Sequence, residues 1–89
     1  MMPIESLRAE IEAVDTRLIA AIAERVSLAK RVGQVKRANG QPITDPAREA
    51  AVVARASALA REAGLPDHEI RALYWRLLAM ARRVQISTE

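Results

Sequence analysis

The stretch that decides the fold is residues 3–38, PIESLRAEIEAVDTRLIAAIAERVSLAKRVGQVKRA. Its apolar residues recur at an alternating spacing of three and four, at Ile4, Leu7, Ile11, Val14, Leu18, Ala21, Leu28, Val32 and Val35. This spacing places them along one face of an α-helix, as in the seam of a coiled coil. Arg25 stands where the spacing requires another apolar residue, and a charge there is costly unless it is paired. The stretch therefore predicts one long helix with a cation set into its apolar face.

Two breaks divide the rest of the chain. The segments 39–42 (NGQP) and 64–67 (GLPD) each end a helix, because glycine accepts the left-handed C-terminal conformation and proline cannot continue a helix. Between them a helix can start with Asp45 as its N-cap and Pro46 in the first helical position. We predict an all-α protein with three helices, at residues 3–38, 46–63 and 66–86, in a single domain covering residues 1–89.

The composition excludes several classes of protein. The chain has no cysteine and one histidine, so a disulfide framework, a thiolate metal site and a histidine-based zinc site are ruled out. Aromatic residues make up 2% of the chain and hydrophobic residues 51%, which is typical of helices. No apolar run reaches the ~18 residues of a membrane span, and no signal peptide is evident. We expect a cytoplasmic protein that does not associate with membranes.

The charged residues favour an anionic ligand. Lysine and arginine total 14 against 11 acidic residues, and all but Lys30 and Lys36 are arginine, the better bidentate partner of carboxylate or phosphate. Arginines that merely coat the helices would give the same count. However, polar residues also lie on or beside the apolar stripe of each helix: Arg25, Lys36, Glu49 and Gln85. Each alone is more often a satisfied buried group, and Arg25 could pair with Glu24 or Glu49. Together they predict a polar pocket inside a helical bundle.

The length of the first helix predicts a homodimer. About 35 helical residues span ~50 Å, whereas a compact chain of this size has a radius of gyration near ~12 Å. Part of the apolar face therefore stays uncovered unless a second copy packs on it, and symmetric dimers are the commonest oligomers. Arg8 lies ~25 Å along the helix from Arg25. It cannot reach the same small ligand in its own chain, but in an antiparallel dimer it could enter the partner's pocket.

Seven residues in order along the chain carry a family resemblance: Arg8, Arg25, Lys36, Asp45, Arg48, Glu49 and Gln85. The first six occur within the patterns Leu-Arg-x-x-Ile, Ala-Glu-Arg, Val-Gly-x-x-Lys and Asp-x-x-Arg-Glu, and Gln85 lies near the end of the third predicted helix. From about Leu7 to Gln85 the chain resembles the all-helical, AroQ-class chorismate mutases. The resemblance implies an intertwined homodimer without cofactor or metal that converts chorismate to prephenate by a Claisen rearrangement, on the route to phenylalanine and tyrosine. Arg8 would be donated in trans, and Arg25 and Arg48 would hold the substrate carboxylates.

The resemblance also implies roles at the reacting centre. Lys36 and Gln85 match the two donors to the ether oxygen, and Glu49, with the chain near Asp45, matches the group that receives the ring hydroxyl. Ala81 stands where the family often has a small hydroxyl residue, so a minor substrate contact is lost. The physical chemistry agrees, because the rearrangement of this dianion is unimolecular. Catalysis then needs only a folded substrate and a stabilised ether oxygen.

Other functions remain open at this point. Isochorismate-pyruvate lyases and 4-amino-4-deoxychorismate mutases resemble the same scaffold. Glu49 argues against the lyases and is compatible with an amino substrate. A non-catalytic helical dimerisation or nucleic-acid-binding module is the non-enzyme alternative, but the basic residues do not gather on one helix face and base-stacking aromatics are nearly missing. We therefore expect no nucleic acid partner. Feedback regulation and an activating pathway enzyme are left undecided by the sequence.

Overall fold

The computed structural model describes residues 3–87, which form three α-helices. Helix α1 covers Ile4–Ala38, α2 covers Pro46–Glu62 and α3 covers Asp67–Ser87. The three predicted helices are confirmed, and each boundary agrees with the prediction to within one residue. None of the three helices is long and apolar enough to cross a membrane.

The helix ends follow from local chemistry. Gly40 and Gly64 have positive φ angles of 66° and 74°, which let the chain turn away after α1 and after α2. Before α2, the Asp45 side chain accepts a hydrogen bond of 3.1 Å from the backbone N–H of Arg48, and Pro46 is the first helical residue. The predicted N-cap is therefore confirmed. It fixes the start of α2 directly beside the site described below.

Helix α3 holds the three helices together. It packs against both α1 and α2, while α1 and α2 make no close backbone contact within residues 3–87. The buried residues are mostly small, which lets the helix axes approach: Ala29, Gly33, Val53, Ala56, Ser57, Ala60, Leu78, Ala81 and Gln85. Leu59 and Leu73 lie on the apolar stripes of α2 and α3, but both are exposed because the three helices form an open layer rather than a closed bundle.

The N-terminal half of α1 extends beyond the other helices. Every residue from 3 to 21 is exposed, and Leu7 and Leu18 of the apolar face are 47% and 54% exposed. The chain measures 59 × 27 × 15 Å with a radius of gyration of 16.4 Å, against ~12 Å for a compact chain of this size. Nothing within residues 3–87 covers this apolar face, which we call the α1 seam: Ile4, Leu7, Ile11, Val14 and Leu18.

Candidate active site

A cavity of about 330 Å³ lies between the C-terminal half of α1, the start of α2 and the C-terminal half of α3. Its volume falls within the range of small-molecule sites, roughly 300–1,000 Å³. We call it the central cavity. It is lined by Arg25, Leu28, Ala29, Val32, Lys36, Ile43, Asp45, Arg48, Glu49, Val52, Leu78, Ala81, Arg82 and Gln85.

The central cavity brings together seven of the eight residues that the sequence nominated as substrate-binding. These are Arg25, Lys36, Asp45, Arg48, Glu49, Ala81 and Gln85. Arg8 is the exception, because it lies on the exposed N-terminal half of α1, seventeen residues before Arg25. A straight helix puts those two positions ~25 Å apart. Within a single chain, the nominated set is therefore complete except for this one arginine.

Lys36 is held by the loop between α1 and α2. Its Nζ donates a hydrogen bond of 3.0 Å to the carbonyl oxygen of Ile43, and the side chain is half-buried. One of its three ammonium protons is thereby used, and the others remain for a ligand. The same contact folds the loop against α1, so the loop and the cation are positioned together.

Arg25 is supported by an aromatic ring rather than by a carboxylate. Its guanidinium carbon lies 5.7 Å from the centre of the Tyr74 ring on α3, which is a cation–π distance. No ion pair joins it to Glu24 or Glu49 among the described residues. The guanidinium therefore keeps its capacity for a bidentate contact with an anion.

Gln85 is positioned from two sides. It is buried, with 9% of its surface exposed, and it packs on Gly33, where an added Cβ would lie 3.1 Å from the Gln85 Cβ and Cγ atoms. On the other side, Arg37 donates to the carbonyl oxygens of Gln85 and Ile86 at the end of α3. The helix end that carries Gln85 is thereby tied to α1, which fixes where this side chain meets the cavity.

Glu49 and Arg82 form an ion pair across the cavity, from α2 to α3. The Arg82 Nη1 atom donates to Glu49 Oε1 at 2.5 Å, and only 14% of the Glu49 side chain is exposed. From the sequence, Arg82 and Arg83 are expected to form a solvated helix end from which Arg82 could approach the mouth of the site, and Arg82 is not nominated as a site residue. The signal was present, because Arg82 follows Leu78 by four residues and precedes Gln85 by three, which puts all three on one face of α3.

The charges of the central cavity favour a dicarboxylate. Its lining contains four cationic side chains and two carboxylates, leaving two positive charges in excess: Arg25, Lys36, Arg48 and Arg82 against Asp45 and Glu49.

The cavity also has an apolar wall that sequence reasoning missed: Leu28, Val32, Ile43, Val52 and Leu78. This wall suits a carbon ring. The lining residues include no hydroxyl, thiol or imidazole, so the cavity offers charge and hydrogen bonds to its ligand.

Comparison with known proteins identifies the family. The family model "chorismate mutase type II" matches residues 7–86. A 4-amino-4-deoxychorismate mutase of Streptomyces pristinaespiralis is 31% identical over 83 residues, covering 93% of this chain and 64% of that protein. A chorismate mutase of Methanocaldococcus jannaschii is 37% identical over 62 residues, covering 70% of this chain and 63% of that protein.

A longer relative matches over one segment only. The bifunctional chorismate mutase/prephenate dehydratase of Escherichia coli is 36% identical over 72 residues, covering 81% of this chain and 19% of that protein. The chain thus spans less than two thirds of the length of each of these three relatives. The family model nevertheless extends over nearly all of the described helices. The chain belongs to the chorismate mutase type II family.

Proposed function

We propose that this protein is a chorismate mutase, an isomerase that converts chorismate to prephenate in cytoplasmic phenylalanine and tyrosine biosynthesis. The observation that carries the proposal is the central cavity, whose lining has two positive charges in excess beside an apolar wall. Chorismate complements both features, because it is a ring with two carboxylates, a hydroxyl and an ether bridge. The family match supports the same reaction.

In this proposal the residues act by binding and electrostatics. Arg25 and Arg48 hold the two carboxylates, which folds the side chain of the substrate over its ring and prepares the reacting geometry. As the C–O bond breaks, negative charge develops on the ether oxygen, where Lys36 and Gln85 donate hydrogen bonds. A preorganised donor of this kind contributes about 3–4 kcal/mol in comparable sites. Glu49 accepts a hydrogen bond from the ring hydroxyl, and the chain near Asp45 lies beside it.

We also propose that two copies form an intertwined dimer through the α1 seam. Exposed apolar residues cover this face over the whole N-terminal half of α1, and burying a continuous apolar stripe is what drives helices to pair. In an antiparallel pairing, the N-terminal half of one α1 lies beside the C-terminal half of the other. Arg8 then reaches the partner's central cavity and supplies the cation that each chain lacks at its own site.

The first test is to follow chorismate consumption by purified protein, with the product identified by acid conversion to phenylpyruvate. Wild-type protein is expected to form prephenate. The Lys36→Ala variant should stay folded by circular dichroism and lose turnover by two to three orders of magnitude, roughly the loss expected for one preorganised donor. A folded wild-type protein that forms no prephenate, or a folded Lys36→Ala variant with near-normal activity, contradicts the proposal.

The donation of Arg8 in trans has a sharper test. Arg8→Ala and Lys36→Ala homodimers are each expected to be inactive. In a heterodimer of the two, one site carries both lesions and the other carries neither. Co-expression with random pairing therefore restores about a quarter of wild-type activity. No restoration, with heterodimers present by native mass spectrometry, would show that Arg8 acts within its own chain, and an active Arg8→Ala homodimer would show that it does not act at the site.

A second candidate is the rearrangement of 4-amino-4-deoxychorismate. It is favoured by the Streptomyces pristinaespiralis relative, whose match covers 93% of this chain. This substrate carries an amine in place of the ring hydroxyl, so the two reactions differ at the group that would meet Glu49. Direct comparison of the two substrates with one enzyme preparation distinguishes the candidates.

A further inference from the structure

Arg82 differs from the other cations of the central cavity. Among residues 3–87, Arg25, Lys36 and Arg48 make no ion pair, whereas Arg82 is paired with Glu49. The pair joins α2 to α3 with a donor–acceptor distance of 2.5 Å. Three of the cavity's cations are therefore available to a ligand, and the fourth is committed to a carboxylate.

The pair changes what Glu49 can recognise. A lone, largely buried carboxylate attracts a cation strongly and accepts a hydrogen bond from a neutral donor less strongly. Because Arg82 donates a hydrogen bond to Oε1 of Glu49, the negative charge of Glu49 is already balanced, and its Oε2 atom is left as an acceptor. A hydroxyl group satisfies that acceptor. An ammonium group at the same place would meet the positive guanidinium of Arg82 as well as the carboxylate, and the like charges repel.

We propose that Arg82 is a specificity-determining residue that makes the site select a ring hydroxyl over a ring amine. The inference rests on the proposed function. In chorismate the ring substituent is a neutral hydroxyl, whereas the aliphatic amine of 4-amino-4-deoxychorismate is protonated at neutral pH. Arg82 thus assigns this chain to the hydroxyl substrate, although Glu49 alone is compatible with either.

The position of Arg82 supports this role over a purely structural one. Its side chain is 35% exposed and that of Glu49 is 14% exposed, so Arg82 is the more accessible partner of the pair, and both residues line the cavity. Arg82 is also adjacent in sequence to Ala81 and one helical turn before Gln85, both of which line the same cavity. A ligand in the cavity therefore meets the pair directly.

The test compares kcat/KM for the two substrates in Arg82→Met, which removes the charge while keeping a long side chain. Arg83→Met is the matched control, because Arg83 is its exposed neighbour, lies outside the cavity lining and carries the same charge. Arg82→Lys retains a cation. We expect wild-type protein and Arg83→Met to prefer chorismate. In Arg82→Met the amine-to-hydroxyl ratio of kcat/KM should rise at least about tenfold, and Arg82→Lys should restore most of the preference.

The outcomes separate this inference from the function on which it rests. If Arg82 only braced α2 against α3, Arg82→Met would lower kcat/KM for both substrates equally, and an unchanged ratio in folded protein overturns the inference alone. A wild-type preference for the amine also overturns it. If folded wild-type protein rearranges neither substrate, the proposed function itself fails. Arg82→Gln serves as the neutral variant if Arg82→Met does not fold.

Discussion

Replacing Gly33 with alanine should lower kcat in a protein that stays folded, because this residue sets the distance between α1 and the end of α3. An added Cβ would lie 3.1 Å from the Cβ and Cγ atoms of Gln85 and 3.2 Å from its Cα atom. Ordinary carbon–carbon contacts are about 3.5–4.0 Å. One of the crowded atoms is backbone, so a change of rotamer cannot relieve the contact and α3 itself must move by a few tenths of an ångström.

Two opposing terms decide the stability of Gly33→Ala. Alanine in a helix interior is favoured over glycine by about 1 kcal/mol, whereas overpacking a close contact costs about 1–3 kcal/mol. We therefore expect a net destabilisation of at most about 2 kcal/mol, small enough for the variant to stay folded. Gln85 moves with the helix, and its amide is a proposed donor to the ether oxygen. Since complete loss of such a donor costs about 10²–10³ in kcat, a partial displacement should lower kcat about tenfold.

The assay is steady-state chorismate turnover together with urea unfolding. Gly40→Ala is the matched control, because Gly40 has a φ of 66° and no atom within 4 Å of an added Cβ. That variant should lose about 1–2 kcal/mol of stability through backbone strain alone, with kcat unchanged. The Gln85→Ala variant measures how far kcat falls when this donor is removed completely. If folded Gly33→Ala kept wild-type kcat while Gln85→Ala lost activity, the contact between Gly33 and Gln85 would not be what positions the donor.

Two further predictions concern contacts at Tyr74 and Asp67. Tyr74→Leu removes the ring 5.7 Å from Arg25 while keeping apolar volume. A cation–π contact contributes about 0.5–1 kcal/mol, so KM for chorismate should rise about two- to fivefold with little change in kcat, and an unchanged KM would contradict this role. The pKa of Asp67 lies below its ordinary value of 3.8, chiefly because the Ser57 hydroxyl and then Arg61 donate hydrogen bonds to its carboxylate. A lowered carboxyl pKa stabilises the fold above pH 3.8, and this contribution is lost as the pH falls below that value. Asp67→Asn should therefore be less stable than wild type at neutral pH, and the difference in urea midpoint should shrink below pH 3.8. A constant difference would show that the ionised form is not what matters.

The sequence alone was sufficient for the helices and for most of the site's residue types. Helix bounds depend on local signals, and the spacing of apolar residues, Gly40, Gly64 and the Asp45-Pro46 start each act within a few residues. Four of the nominated site residues also follow from local position, since Arg25, Lys36, Glu49 and Gln85 each lie on or beside the apolar stripe of their own helix. The other nominated residues came from the family resemblance. The length of α1 likewise indicated that one chain cannot cover its apolar face, and the exposed α1 seam agrees with that expectation.

The pairings between helices were decided by the tertiary structure. Glu49 could meet Arg25 or Arg82, and only the packing of α3 on α2 selects Arg82, 33 residues away. The same packing places Tyr74 beneath Arg25 and brings Gln85 against Gly33. These contacts depend on the rotation of one helix about its axis relative to another, and helical periodicity defines a face about 100° wide but not the partner it meets. For this reason the charges of the cavity were readable in the sequence, whereas the pairing that distinguishes a ring hydroxyl from a ring amine required the fold.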